Sequence, residues 1–330
     1  QSARNRLPVP AYREHPSSAE CSMLRPAAAC SVAILLAPLA ACAAQAPTPV
    51  ATIPFEYDGH IFLHGTVNGD SARLLYDPVD GVILDRRFAD RGTLRHRDWR
   101  GVGDGGPTRV GGGGGDQVEV TWVDSVTLAL GGLQWRFPRI PVIPLDSMMG
   151  DAIAGTPDGL AGTTLFRDHA VHLDFAARRM ELYAPGSIDT TGWQVLPVTV
   201  IGAKGVVPLR MTVGDTVEYA MRAVVDIGMA GAFRVSTREV DARNLLRHAA
   251  RNLATGRGLG GMLLSRRLGN VRVHLGAVAT DPIEVELARE PRGADANPRD
   301  YDALLGLGVL SRFDVIYDLG NGRLLVRPVG

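Results

Sequence analysis

Asp158-Gly-Leu-Ala-Gly-Thr-Thr-Leu-Phe-Arg-Asp-His-Ala-Val-His-Leu-Asp-Phe-Ala-Ala-Arg-Arg-Met-Glu-Leu182 aligns without a gap on Asp302-Ala-Leu-Leu-Gly-Leu-Gly-Val-Leu-Ser-Arg-Phe-Asp-Val-Ile-Tyr-Asp-Leu-Gly-Asn-Gly-Arg-Leu-Leu-Val326. The displacement is 302 − 158 = 144 residues. Other landmarks recur in the same order at nearby shifts: Ile53-Pro54 with Leu196-Pro197, Val67-Asn-Gly-Asp70 with Val213-Gly-Asp215, Leu130-Gly131 with Leu275-Gly276, and Leu75-Tyr-Asp77 with Val224-Val-Asp226. Such an ordered series is hard to obtain by chance, so the chain reads as two copies of one unit. The seam falls between Pro185 and Gly192. The expected organisation is an upstream and export segment over 1–48, a first lobe over 49–190 and a second over 191–330.

Length and composition agree with that division. The 330 residues exceed one ordinary domain and fit two of about 140–150 residues once the first fifty are set aside. With 45 % hydrophobic and 21 % charged residues the chain can fill its cores, which excludes wholesale disorder and a polytopic membrane protein. Thirty-nine Gly and 21 Pro beside only 6 % aromatics indicate many turns and short strands, hence an all-β class. Thirty-five basic residues balance thirty-five acidic ones, leaving no electrostatic footprint for nucleic acid.

Each unit reads as strand, turn, strand, acidic loop, short helix, glycine-rich stretch, strands, small helix and a last hairpin. Ile61 to Val67 alternates, Asn68-Gly69 is a hairpin turn, and Arg73 to Tyr76 leads into Asp77. Asp85 is placed to cap a short helix around Arg86 to Asp90, and Ser236 or Thr237 to cap a longer one from Arg238 to about Leu253. Val271-Arg-Val-His-Leu275 alternates as a half-exposed strand should, and Asp318 to Arg323 forms a turn.

The three cysteines are Cys21, Cys30 and Cys42, so the folded body is expected to hold no disulfide and no thiolate metal cage. Met23-Leu-Arg25 and the apolar run that follows read as the basic and hydrophobic parts of an export signal, too brief to span a bilayer and interrupted by Pro38. Leu39-Ala40-Ala41-Cys42 resembles a bacterial lipobox, in which the cysteine is acylated after cleavage. Cys42 is therefore the expected lipid anchor, on the periplasmic side of the envelope; cleavage after Ala43 by an ordinary signal peptidase is the alternative. Residues 1–22 carry no periodicity and are read as an upstream segment outside the fold.

Two loops ask for chemistry. A lone Asp after a strand is ordinarily a turn residue. Here Leu75-Tyr76-Asp77 and Val224-Val225-Asp226 are each followed by an apolar pair and glycine, Leu160-Ala161-Gly162 and Leu304-Leu305-Gly306, 160 − 77 = 83 and 304 − 226 = 78 residues on. In this the sequence resembles the aspartic peptidases, in particular bacterial proteins with a retropepsin-like domain, over nearly all of residues 50–328. Ile53 to Ala89 and Asp302 to Phe313 carry the resemblance most specifically. It implies a two-lobed β-barrel protein in which Asp77 and Asp226 are the catalytic pair. It also implies a peptide or protein substrate between the lobes, no cofactor or metal, and a monomer with pseudo-two-fold symmetry. Two carboxylates about 3 Å apart cannot both ionise, so they share a proton, and one serves as base while the other serves as acid.

The sequence departs from the family's Asp-Thr-Gly at both loops, which read Asp77-Pro-Val and Asp226-Ile-Gly. The hydroxyl is missing from both, and Gly228 alone survives to allow a tight turn and a close backbone approach. Pro78 biases Asp77 towards an extended backbone and Val79 resists positive φ. Asp80 adds a second acid that perturbs the pair, replaces Asp77 or faces solvent. Hydrolysis and non-hydrolytic peptide binding on the same fold both remain open.

Other motifs are weaker. Gly101 to Gly106 and Gly256 to Gly261 each match G-x-G-x-x-G, but neither opens a helix after a strand, and a mobile hairpin closing over a peptide suits both better than a dinucleotide site. His169 and His172 lack a zinc spacing and read as packing or surface residues. No G-x-S-x-G elbow appears, and the pairs Arg86-Arg87, Arg178-Arg179 and Arg266-Arg267 read as solvated faces or turn ends.

Overall fold

Burial follows the period of two that makes a strand. Val271, Val273 and Leu275 are buried while Arg272 and His274 keep part of their surface. They close the long strand Gly261–Leu275, which bulges between Leu268 and Val271 and puts Asn270 at φ 55°. Asn68 and Gly69, at φ 50° and 92°, form the tight turn joining Ile61–Val67 to Asp70–Asp77. Asp85 caps the helix Arg86–Arg91 by accepting the Arg87 N–H at 3.0 Å.

The computed structural model describes residues 47–91, 94–97, 109–112, 114–150, 153, 155–214, 216–293 and 299–329. They form a two-lobed, mostly β protein built on a thirteen-stranded and a nine-stranded sheet, with a two-stranded ribbon beside them. In the first lobe Gly159–Gly162 lies between Asp70–Asp77, to which it runs parallel, and Val82–Asp85, to which it runs antiparallel. The second lobe repeats this, with Ala303–Gly306 parallel to Val217–Asp226 and antiparallel to Phe233–Val235. The two registers set Asp77 beside Gly162 and Asp226 beside Gly306.

Side-chain contacts repeat as well. Asp158 accepts the Arg73 N–H at 2.9 Å and pairs with Arg91 at 2.6 Å. Asp302 accepts the Arg222 N–H at 2.8 Å and pairs with Arg238 at 2.8 Å. These aspartates open the two halves of the internal alignment, and each fixes the strand that delivers its lobe's cleft aspartate.

Six strands join the lobes in the order Gln194–Pro197, Arg323–Pro328, Phe313–Asp318, Ala170–Asp174, Arg179–Tyr183, Ala51–Tyr57. At the centre His172 pairs with Ile316. Since 172 + 144 = 316, each is the other's counterpart, and the pseudo-two-fold axis passes between them. His172 also bridges the lobes, with Nδ1 3.0 Å from Glu181 and Nε2 2.5 Å from Asp314. The packing or surface role expected for it understates this ion-paired clasp.

The long helix expected from Arg238 to Leu253 is absent. Thr237–Ala242 is helical, Asn244 turns left-handed at φ 49°, a 3-10 turn covers Leu245–His248, and Leu253 already begins a strand. Ser236 sits at the cap position without a capping hydrogen bond from its side chain.

Candidate active site

Each cleft aspartate ends a strand, and each adjoining glycine makes room for the loop that follows. A Cβ on Gly162 would lie 2.3 Å from the Val79 oxygen, and one on Gly306 would lie 2.1 Å from the Gly231 oxygen. That explains the glycine of the two apolar-apolar-Gly strands, because any side chain there would lift the acidic loop off its support. In the first loop the Val79 N–H donates to the Asp77 carbonyl at 2.8 Å, a three-residue turn about Pro78. The positive φ needed for the return falls on Gly81, at 60°, so Val79 is unstrained. In the second loop the Gly228 N–H donates to Asp226 Oδ1 at 3.2 Å. The Met229 N–H donates to the Asp226 carbonyl at 3.2 Å, which closes the tight turn expected around Gly228, and it does so without a positive φ at that glycine.

The close approach at Gly228 is made across the lobes. A Cβ there would sit 2.1 Å from Asp77 Oδ2, so only glycine lets the first carboxylate reach the second loop. Asp80 is turned away, its Oδ1 accepting the Thr164 hydroxyl at 2.8 Å while that hydroxyl accepts the Gly81 N–H at 2.7 Å. Asp77 and Asp226 line one cavity of about 710 Å³. Burial and the nearby Asp226 charge push the Asp77 carboxyl up to about 8, against the pull of Lys204. Burial pushes Asp226 up to about 6, opposed by the Gly228 N–H, by Lys204 and by the Met229 N–H. Both acids are thus raised and share a proton, and Asp226, which accepts the Gly228 N–H, is the better placed of the two to carry the charge.

Among solved structures the chain resembles the crystal structure of an aspartic proteinase from Irpex lacteus, with TM-score 0.52 over 85 % of this chain and 97 % of that one, at 14 % identity. The fold is that of the aspartic proteinases. No protein-family model and no curated protein matches the sequence.

Within this aspartic-proteinase fold, a hairpin from each lobe reaches over the cavity. Arg109–Gly111 pairs with Gln117–Glu119, and Leu253–Gly258 pairs with the start of Gly261–Leu275. Their tips are bonded together, the Gly114 N–H to the Leu259 oxygen and the Asp116 N–H to the Gly260 oxygen, both at 2.7 Å. Arg292 adds an ion pair to Asp116 at 2.6 Å. A Cβ on Gly114 would fall 2.3 Å from the Gly261 nitrogen, so the glycine tract serves close contact between hairpins.

Asp77, Asp226 and Gly228 therefore stand together. Cys42, the proposed lipidation site, lies outside the described residues, as do Cys21, Cys30 and the first glycine motif at 101–106. Sequence reasoning missed His60 and Lys204, which also line the cavity. The 144-residue shift relates them, since 60 + 144 = 204, and that relation was the available signal.

Proposed function

We propose that the chain is an aspartic-type endopeptidase. The observation that carries this reading is the close approach of the Asp77 carboxylate to Gly228 in the partner loop, which sets two half-buried acids in one cavity, where both are raised above the ordinary carboxylate range. Asp226 takes a proton from a water between the two, and the resulting hydroxide attacks the scissile carbonyl carbon while Asp77 gives its proton to the carbonyl oxygen. Collapse of the tetrahedral diol breaks the C–N bond: one diol hydroxyl returns its proton to Asp77, and Asp226 gives the proton it took from water to the leaving amine nitrogen, which restores the starting pair. The test is cleavage of a peptide library by the wild type and Asp226→Asn. Turnover lost at unchanged secondary structure supports the dyad; undiminished turnover removes it.

The second reading is a non-hydrolytic peptide-binding module, favoured by loops without the hydroxyl and by hairpins already bonded over the cavity. It predicts peptide affinity with no turnover at any pH. Kinship with the retropepsin-like bacterial proteins is part of the proposal and rests on the paired acidic loops and apolar-apolar-Gly strands of the sequence. Export and acylation at Cys42 complete the proposal; mass spectrometry of the mature protein from a bacterial envelope tests them.

A further inference from the structure

The two sides of the cavity are related by the internal repeat but differ in charge. The turn between Ala51–Tyr57 and Ile61–Val67 carries His60, and Lys204 opens the strand Lys204–Val213 just after the equivalent turn that follows Thr199–Ile201. The registers make them counterparts, because Phe62 pairs with Leu75 as Val206 pairs with Val224, and each cavity residue lies two positions earlier. Both turns are anchored on the opposite lobe. Gly59 rests on Ala230, where a Cβ would be 3.5 Å away, and the Ala203 oxygen accepts the Thr163 hydroxyl at 3.1 Å.

Burial keeps the His60 imidazole below its ordinary titration range, so that side is neutral around pH 7. Lys204 brings a charge. Its ammonium lies 5.4 Å from the centre of the Tyr301 ring and has no ion-pair partner within 4 Å among the described residues. It is nonetheless close enough to Asp77 and Asp226 to act on both. An ammonium that faces the reacting acids without touching either leaves a gap into which a third group fits. Of the other cations in the cavity wall, Arg234 is buried against Glu286, and Arg257 lies over Gly150 of the first lobe.

We propose that Lys204 forms a subsite for a substrate carboxylate, so that the chain selects peptides with an acidic group on one side of the scissile bond only. This rests on the endopeptidase reading for its position beside a scissile bond, and on the cavity alone for the binding of the anion. The carboxylate has two sources, an Asp or Glu side chain or the free α-carboxylate of a short peptide. A charge-assisted contact of this kind is worth about tenfold or more in affinity.

The experiment uses matched peptides with Glu or Gln at each position flanking the cleaved bond, each as free acid and as C-terminal amide. They are assayed with the wild type, Lys204→Met and Arg257→Met, and the ratio of kcat/KM for each pair is taken within each variant. The expected result is a preference of about tenfold for the acidic member at one position, carried by KM, lost in Lys204→Met and kept in Arg257→Met. A Glu-over-Gln preference assigns the side chain, and an acid-over-amide preference assigns the chain terminus. Equal ratios in the wild type, or a preference that survives Lys204→Met, overturn the proposal. If no peptide is cleaved, the endopeptidase reading falls, and fluorescence anisotropy with the same labelled peptides decides the subsite. Tighter binding of the acidic peptide to wild type but not to Lys204→Met sustains it, and equal binding to both removes it.

Discussion

Changing the pH over a peptide-cleavage assay probes the cleft most directly. The pair needs one proton: with two there is no base, and with none there is no acid. Taking the two steps of the pair at about 6 and about 8, the singly protonated form peaks near pH 7, where about 80 % of molecules hold it. At pH 4, about two units below the lower step, it falls to about 1 %. The expected kcat/KM profile is a bell centred near neutrality, about 80-fold lower at pH 4, measured with a fluorogenic peptide pool at constant ionic strength. Stability supplies a second readout. Both folded-state values are raised above the ordinary 3.8, so these acids cost nothing below that pH and progressively destabilise the fold as pH rises towards 8. Asp226→Asn should leave the melting temperature nearly unchanged at pH 4 and raise it at pH 8.5, by the equivalent of up to about 3 kcal/mol for a two-unit shift. Activity still climbing between pH 6 and pH 4, or a variant no more stable than wild type in alkali, would refute the shared-proton arrangement.

Gly228→Ala should fold but lose on the order of 100-fold in kcat, because its methyl group would occupy the place of Asp77 Oδ2 and spread the loops; circular dichroism and steady-state kinetics check both halves. His172→Ala should cost about 1–3 kcal/mol in urea unfolding at pH 6. The raised His172 value means that its contribution is full below about 6.5 and lost as pH rises through the folded value, while the lowered Glu181 and Asp314 values remove it again in acid. Asp116→Ala removes the Arg292 pair at the hairpin tips, so amide exchange at Gly114 and Gly260 should quicken without a change in melting temperature beyond about 1 kcal/mol.

The repeat made most of the fold legible because paired strands and their acidic loops are spaced by chain connectivity, which a sequence displays directly. Asp158 and Asp302 were visible as the ends of an alignment, although their work on Arg73 and Arg222 was not. Which acid of the first loop faces the cleft was illegible for a physical reason: it depends on the Thr164 hydroxyl, which holds Asp80 from 164 − 80 = 84 residues away. The helix beyond Ala242 was overextended because Asn244, an unremarkable residue in a helical pattern, takes a left-handed backbone and ends it. His172 was undervalued because its carboxylate partner Asp314 belongs to the other lobe.

The strand pair at the axis places His172 against Ile316, a meeting that two identical subunits could not produce, since each would present the same residue to itself. Covalent fusion of the halves frees every such position to diverge. A cleft assembled from two equal chains accepts a bound polypeptide in either orientation with equal ease. Here an imidazole lines one bank and an ammonium the other, so the two banks are no longer equivalent; on the proposed function, a polypeptide laid across the aspartates would have one preferred reading direction.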